Sequence, residues 1–570
     1  MTIDSALKRL LPALLLSFAV ACGGPDDPIS PDPGPDPVVP VNPDPGDDTT
    51  PDPPVVEESF NPAAGTTIYG TVTCGGEGVA GVVVSDGYQV VATDDKGRYE
   101  LKSEKTLGYV FISVPGGYEV PSKGVQPQFY ASCTKSASEA ERADFTLTAV
   151  DQSDFSVLFF GDMHLAGRSF CHDVTQFREF ADDVNDYIST HKGRKVYAVT
   201  LGDMSWDYYW ETNKYDLTSY LMEINKDLPG LQVFHTMGNH DNDSSQKGDF
   251  SGAAAFRKIL GPNYYSFNIG GAHFIVLDNI EYFNDKDRNF YKEVSPEQIA
   301  WMKKDIARVS RSTPIFVTMH APLYTSSGGS ATYNLWDLIS NFSGYDRIQF
   351  VTGHTHVVYN VDNLHRSVHV YENNSGAVCG AWWMPGYIQD GLLMGGDGAP
   401  GGYRVMEFSG KNFSWYFKGT GHPADYQFRT YDRNELMLSA DKWVPRASAQ
   451  AKKEWLESVG DYAKKSSGNL VYINVWDYDP SWTISVKEKG KSLAVTQFTA
   501  KEPLYLAVYE AEEHNLGYSI SYPGGTTDHL FKVQASAPDT PLEITVTDRF
   551  GRTYTETMTR PKPFTFDSYR

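Results

Sequence analysis

The sequence predicts an α/β core built on a layered sheet and flanked by helices, with a small β-sandwich before it and a β-rich domain after it. Three observations carry this. The apolar runs at 157–160, 196–199, 231–234, 315–317 and 348–351 read as strands buried on both faces. Between the first two, Val174, Phe177, Phe180, Val184, Tyr187 and Ile188 recur at helical spacing, so strand alternates with helix. On either side of this region, short alternating runs are punctuated by Gly and Asp, as in all-β domains. The length of 570 residues suits about three such domains. Hydrophobic residues at 41% and charged residues at 21% exclude a chain disordered throughout and a polytopic membrane protein. A net charge of −23 disfavours a nucleic-acid backbone as partner, because that task needs clustered Lys and Arg. Five Cys are too few for a disulfide scaffold.

The N-terminus comes first. Lys8 and Arg9 precede an apolar stretch from Leu10 to Val20 that ends at Ala21-Cys22-Gly23-Gly24. Residues 1–21 therefore read as a signal peptide whose apolar part is too short to span a bilayer. The Cys after small residues resembles a bacterial lipoprotein box, with Ala19 where that box usually has Leu. The resemblance implies that Cys22 is lipidated, and that the protein is exported and anchored to the outer membrane rather than spanning it. Residues 22–60 follow as a Pro-rich segment with ten acidic residues and no Lys or Arg, expected to be an extended, self-repelling tether.

Residues 61–150 read as the small sandwich, from strand-like runs at 67–72, 82–87, 93–99 and 109–118. Cys74 and Cys133 both lie here and either pair or stay as two thiols. Residues 151–390 hold the α/β core, including a hairpin of 263–267 and 273–278 around Gly270-Gly271. Residues 391–570 form the last, β-rich domain. There 471–476 and 483–486 read as one hairpin, and 542–552 as a strand and turn.

The chemistry gathers at the strand ends of the core. The five apolar runs lead into Gly161-Asp162-Met163-His164, Gly202-Asp203, Gly238-Asn239-His240-Asp241, His320 and Gly353-His354-Thr355-His356. Ligands in open α/β sheets bind beyond the carboxyl ends of the strands, so residues distant in sequence converge on one pocket. Carboxylate, amide and imidazole together suit Zn, Mn or Fe. Each motif alone is common, and the joint order is what carries the reading. His172 closely follows the first motif and is the one other His held open for a role at the site.

These five motifs resemble the signature of the calcineurin-like metallophosphoesterases over about 155–380, and the flanking β domains resemble those of one bacterial branch. The resemblance implies two divalent metal ions. Asp162, His164 and His356 would hold one, Asn239, His320 and His354 the other, and Asp203 would bridge them. It also implies hydrolysis of phosphate mono- or diesters by a metal-bridging hydroxide. His240 would bind the phosphate and protonate the leaving oxygen, with Asp241 orienting its imidazole. Purple acid phosphatases carry a coloured iron ligand, Tyr, three residues after the bridging Asp. Here that position is Trp206, so the purple band is not expected and Trp206 reads as wall or substrate platform. Trp382 and Trp383, in a Gly-rich aromatic loop after the last ligand, read either as a lid that stacks on substrate or as a packed interdomain loop. Expected substrates are small phosphate esters, sugar phosphates or phospholipids. The competing reading is a surface-anchored glycan- or lipid-binding module that keeps the core as scaffold; it predicts a broken ligand position, and none is broken.

Overall fold

In this computed structural model the described residues are 60–283, 288–517 and 522–570. The expected signal peptide, Cys22 and nearly all of the expected tether lie outside them. The core consists of two sheets packed face to face. Along the first, from edge to edge, run Gln232–Phe234, Lys195–Thr200, Asp154–Phe160, Gly402–Ser409 and Asn412–Gly419. The second orders Tyr265–Ile269, Ala272–Val276, Ile315–Thr318, Ile348–Thr352, Val368–Ser375 and Val358–His365. Within each sheet the motif-bearing strands are parallel to one another, so their carboxyl ends emerge on one side.

Strand alternation explains the layers. In Asp154–Phe160, Phe155, Val157 and Phe159 face the other sheet, while Leu158 and Phe160 face the helix Asp173–Thr190. That helix buries Phe177, Phe180, Ala181, Val184 and Tyr187 against them, the stripe its spacing predicts. Phe234 stacks on Phe267 of the other sheet at 3.8 Å, and within the first sheet Phe155 stacks on its cross-strand partner Phe408 at 4.4 Å.

The strands Gly402–Ser409 and Asn412–Gly419 complete the first sheet, so the expected boundary at 390 is too early and the core runs on to Gly419. They follow an aromatic, Gly-rich loop that looks like a linker. The N-terminal domain rests against the core, with Trp301 Nε1 donating to Ser85 Oγ at 3.0 Å. Cys74 and Cys133 are separate, half-buried thiols.

The C-terminal region is a sandwich of two four-stranded sheets. Leu470–Val475 and Thr483–Glu488 are not a hairpin: the first pairs with Phe428–Asp432 and Thr526–Gln534, the second with Lys491–Leu493 and Leu542–Thr547. Adjacent β runs joined by seven residues have room to cross from one sheet to the other, and sequence alternation does not reveal that crossing. Leu542–Thr547 does turn back into Thr553–Met558 as expected. A fully buried ion pair, Arg404 to Asp477 at 2.8 Å, ties this sandwich to the core sheet. Among the described residues no helix is long and apolar enough to cross a membrane.

Candidate metal centre

All seven expected ligands meet at the carboxyl ends of the strands, in two groups that share one oxygen. In the first group His164 Nε2 and His356 Nε2 are 3.0 Å apart, and Asp162 Oδ1 lies 3.9 Å and 3.5 Å from them. In the second, His320 Nε2 is 3.0 Å from both Asn239 Oδ1 and His354 Nδ1. Asp203 Oδ2 reaches both groups, at 3.6 Å from His164 Nε2 and 3.3 Å from His320 Nε2. Asp162, His164, Asp203, His320 and His356 are buried; Asn239 and His354 are half-exposed, so a substrate meets that edge.

The donor set fits cations. His320 Nδ1 donates to the Leu201 carbonyl at 2.7 Å, which leaves Nε2 of the neutral ring as a lone pair. That lone pair faces an amide oxygen, a carboxylate oxygen and another imidazole nitrogen, crowded on one point. Likewise His356 Nδ1 donates to the Gly380 carbonyl at 2.7 Å and turns Nε2 inward. Such carbonyl bonds on the outer nitrogen are how metal-binding His rings are oriented. Asp162 Oδ1 is buried with no hydrogen-bond partner. Without metal, burial disfavours the charged His320 but the Asp203 carboxylate prevails and lifts its pKa to about 9, a proton standing where a cation fits. Cys379 approaches His356 only on its outer side, Sγ to Nδ1 at 3.7 Å.

The backbone is bent to this purpose. Asp162, His164, Asp203, His354 and His356 all have positive φ, between 45° and 71°, a left-handed conformation costing about 1–3 kcal/mol for such residues. Glycines make the room: a Cβ on Gly353 would lie 2.6 Å from Asp162 Oδ2, and one on Gly202 would lie 2.5 Å from His320 Nδ1.

The expected partner of His240 is corrected. Asp241 does not touch its ring. It accepts from the amides of Asp203 (2.8 Å), Gly238 (2.9 Å), Met204 (3.1 Å) and Ser205 (3.3 Å), stapling two ligand loops together. Consecutive residues of the 3₁₀ turn Asn239–Asp241 diverge by about 120°, so the two side chains point apart. His240 Nδ1 instead meets Asp207 Oδ1 at 2.8 Å, and the His240 amide donates to Asp203 Oδ1 at 2.7 Å. Burial works against the imidazolium, but Asp203 and then Asp207 outweigh it and raise its pKa.

The aromatic residues separate in role. Trp383 is fully buried and donates Nε1 to the Met163 carbonyl at 2.9 Å, so it is core rather than a substrate contact. Trp206 is 2% exposed and stacks on Trp382 at 6.0 Å, which makes it wall. Trp382 is partly exposed beside His356, ring centroids 4.8 Å apart, and the loop that carries it packs in place rather than forming a lid. Tyr522, from the C-terminal sandwich, adds a third ring edge-on to Trp382 at 4.3 Å. Arg168 braces this wall, lying 4.8 Å from the Trp206 ring and donating to the carbonyls of His164 and Trp382. His172 is exposed and takes no part. Asp207, Arg168 and Tyr522 carried no sequence signal; Tyr522 lies more than 160 residues from the last ligand motif.

A two-sheet α/β sandwich with a paired-cation site at its strand ends is the arrangement of a dinuclear metal centre. Family models for calcineurin-like phosphoesterase match residues 155–358, with its N-terminal domain at 66–150 and its C-terminal domain at 372–554. The chain belongs to the calcineurin-like phosphoesterases, a family with dinuclear metal centres. Over 205 residues it is 27% identical to purple acid phosphatase 13 of Arabidopsis thaliana, covering 33% of this chain and 31% of that protein. The chain thus spans about a third of that relative's length. Among solved structures, a purple acid phosphatase from yellow lupin (Lupinus luteus) seeds aligns with TM-score 0.33 and 14% identity, over 47% of this chain and 52% of the other. A dimetal phosphatase from Danio rerio aligns with TM-score 0.31 and 11% identity, over 47% and 96%.

Proposed function

We propose that the chain is a dinuclear metal-dependent hydrolase of phosphate mono- or diesters, exported and held at the outer membrane by a lipid on Cys22. The observation that carries the hydrolytic reading is the complete ligand set, two acceptor clusters joined through Asp203 Oδ2. Asp162, His164 and His356 would hold one ion and Asn239, His320 and His354 the other, with Asp203 between. Two divalent ions so held supply charge for clamping a phosphoryl group and an acidified water for attack on it. His240 stands at the half-exposed edge with Nδ1 tied to Asp207, which turns Nε2 to the cleft. That nitrogen binds a phosphate oxygen and gives its proton to the leaving oxygen. Trp382 and Tyr522 bound the cleft on the His356 side, where a leaving group would lie.

Asp203→Ala and His354→Ala, loaded with Mn or Zn, should retain the fold and lose cleavage of 4-nitrophenyl phosphate and bis(4-nitrophenyl) phosphate. Full activity in either variant would overturn the assignment. The anchoring half rests on the Ala21-Cys22-Gly23 sequence and the acidic segment behind it. Cys22→Ser should move the protein from the membrane fraction to the soluble fraction, and unchanged partitioning would defeat that part alone.

A further inference from the structure

The hairpin Ile280–Tyr282 with Phe290–Lys292 carries residues that the catalytic reading leaves unused. Phe290 and Lys292 lie on one face of their strand, and Tyr291, 44% exposed, lies on the other. The inward face is fixed by Phe290, whose ring stands edge-on to His354 at 5.9 Å. Lys292 follows about 7 Å further along that face, within reach of the same edge of the centre for a side chain of its length.

Among the described residues near this edge, the charged groups Arg288 and Asp241 have partners. Arg288, at the head of the same strand, is paired with Asp207 through Nε and Oδ2 and also donates to Ser244 Oγ at 3.2 Å. Asp241 spends its oxygens on backbone amides. Among the described residues no carboxylate and no hydrogen-bond acceptor reaches the Lys292 ammonium, which is half-buried, and its burial pushes its pKa down. A half-buried cation with no partner is costly unless an anion arrives. The anion brought to this edge is the substrate.

Building on the proposed phosphohydrolase, we infer that Lys292 is a specificity residue that reads the second negative charge of a phosphate monoester, so that the site prefers monoesters to diesters. A monoester carries close to two charges near neutral pH because its second pKa is about 6, whereas a diester carries one. The second monoester charge resides on a terminal oxygen; in a diester that oxygen is esterified, and a neutral organic group would stand against the ammonium.

The experiment compares kcat/KM for 4-nitrophenyl phosphate and bis(4-nitrophenyl) phosphate in the metal-loaded full chain, with calorimetric binding of inorganic phosphate as a second readout. Wild type should favour the monoester. Lys292→Met should lose about 10-fold on the monoester and less than 3-fold on the diester, and should bind phosphate about 10-fold more weakly; Lys292→Arg should retain most of both. Lys292→Gln serves if the Met variant does not fold. Equal losses on the two esters, or unchanged phosphate affinity, would overturn the inference. A wild type that is loaded but inert on every ester defeats the proposed function instead, so the two failures are distinguishable.

Discussion

Replacing Asp207 by Asn is the most discriminating change at the site, because it alters a proton donor's support without touching a metal ligand. Asp207 Oδ1 lies 2.8 Å from His240 Nδ1. A hydrogen bond to a charged partner contributes about 1.5–3 kcal/mol. At about 1.4 kcal/mol per tenfold, losing its charged character should cost roughly 10- to 100-fold in kcat wherever the leaving oxygen must be protonated. An alkyl phosphate has such a leaving group; 4-nitrophenyl phosphate departs readily without a proton and should lose only a few-fold. The pH profile gives the second readout. His240 acts protonated and its pKa is raised, so activity is present below that pKa and is lost as pH rises through it. Because Asp207 is one of the groups that raise it, the alkaline limb should move to lower pH in Asp207→Asn. The assay is kcat against pH on both esters, with metal content and Tm measured alongside. Equal losses on the two esters with an unmoved alkaline limb would refute the role given to Asp207.

Gly353→Ala places a Cβ 2.6 Å from Asp162 Oδ2, so metal content by elemental analysis should fall while the core sheet keeps its circular dichroism. Stripping metal with a chelator should lower Tm, since ions that bind only the folded chain stabilise it by mass action, and Asp203→Ala should abolish that difference. Asp278, buried and near Asp249, has its carboxyl raised to about 7 by burial first and the Asp249 charge second. A carboxyl whose folded pKa is raised contributes stability below its unfolded value of about 3.9 and loses it as pH climbs through about 7. Asp278→Asn should therefore flatten the fall in Tm between those limits, and an unchanged slope would contradict it. Iron-loaded protein should show no purple charge-transfer band in its visible spectrum, because Trp206 cannot ligate.

What the sequence disclosed depended on whether a residue's partner was fixed by local pattern. The ligands were legible because each ends an apolar strand, and parallel strands deliver their carboxyl ends to one side. The role that the resemblance implies for Asp241 does not hold, because a 3₁₀ turn sends neighbouring side chains about 120° apart and the motif does not show that turn. Trp382 and Trp383 illustrate the same thing: both have positive φ, and one ring enters the core while the other lines the cleft. Tyr522 and Arg404 matter through a domain contact that no periodicity encodes.

The strain at the centre explains why these motifs are so glycine-rich. Five ligand residues held at positive φ cost several kcal/mol together. They persist because their surroundings over-determine them: Asp241 clamps four amides, Gly202 and Gly353 leave space for side chains of facing loops, and carbonyls of Leu201 and Gly380 fix two imidazoles. The left-handed bend turns three of the five strand ends, those carrying Asp162 and His164, Asp203, and His354 and His356, so that a side chain leaving the strand is aimed across the sheet edge instead of along it. Only then do residues from both sheets of a sandwich, whose faces stand about 10 Å apart, reach a common oxygen on Asp203. The overall acidity of the chain does not oppose this. Ten of its acidic residues fall within residues 22–60, and at the centre the field would be set by the two cations that the ligands are bent to receive.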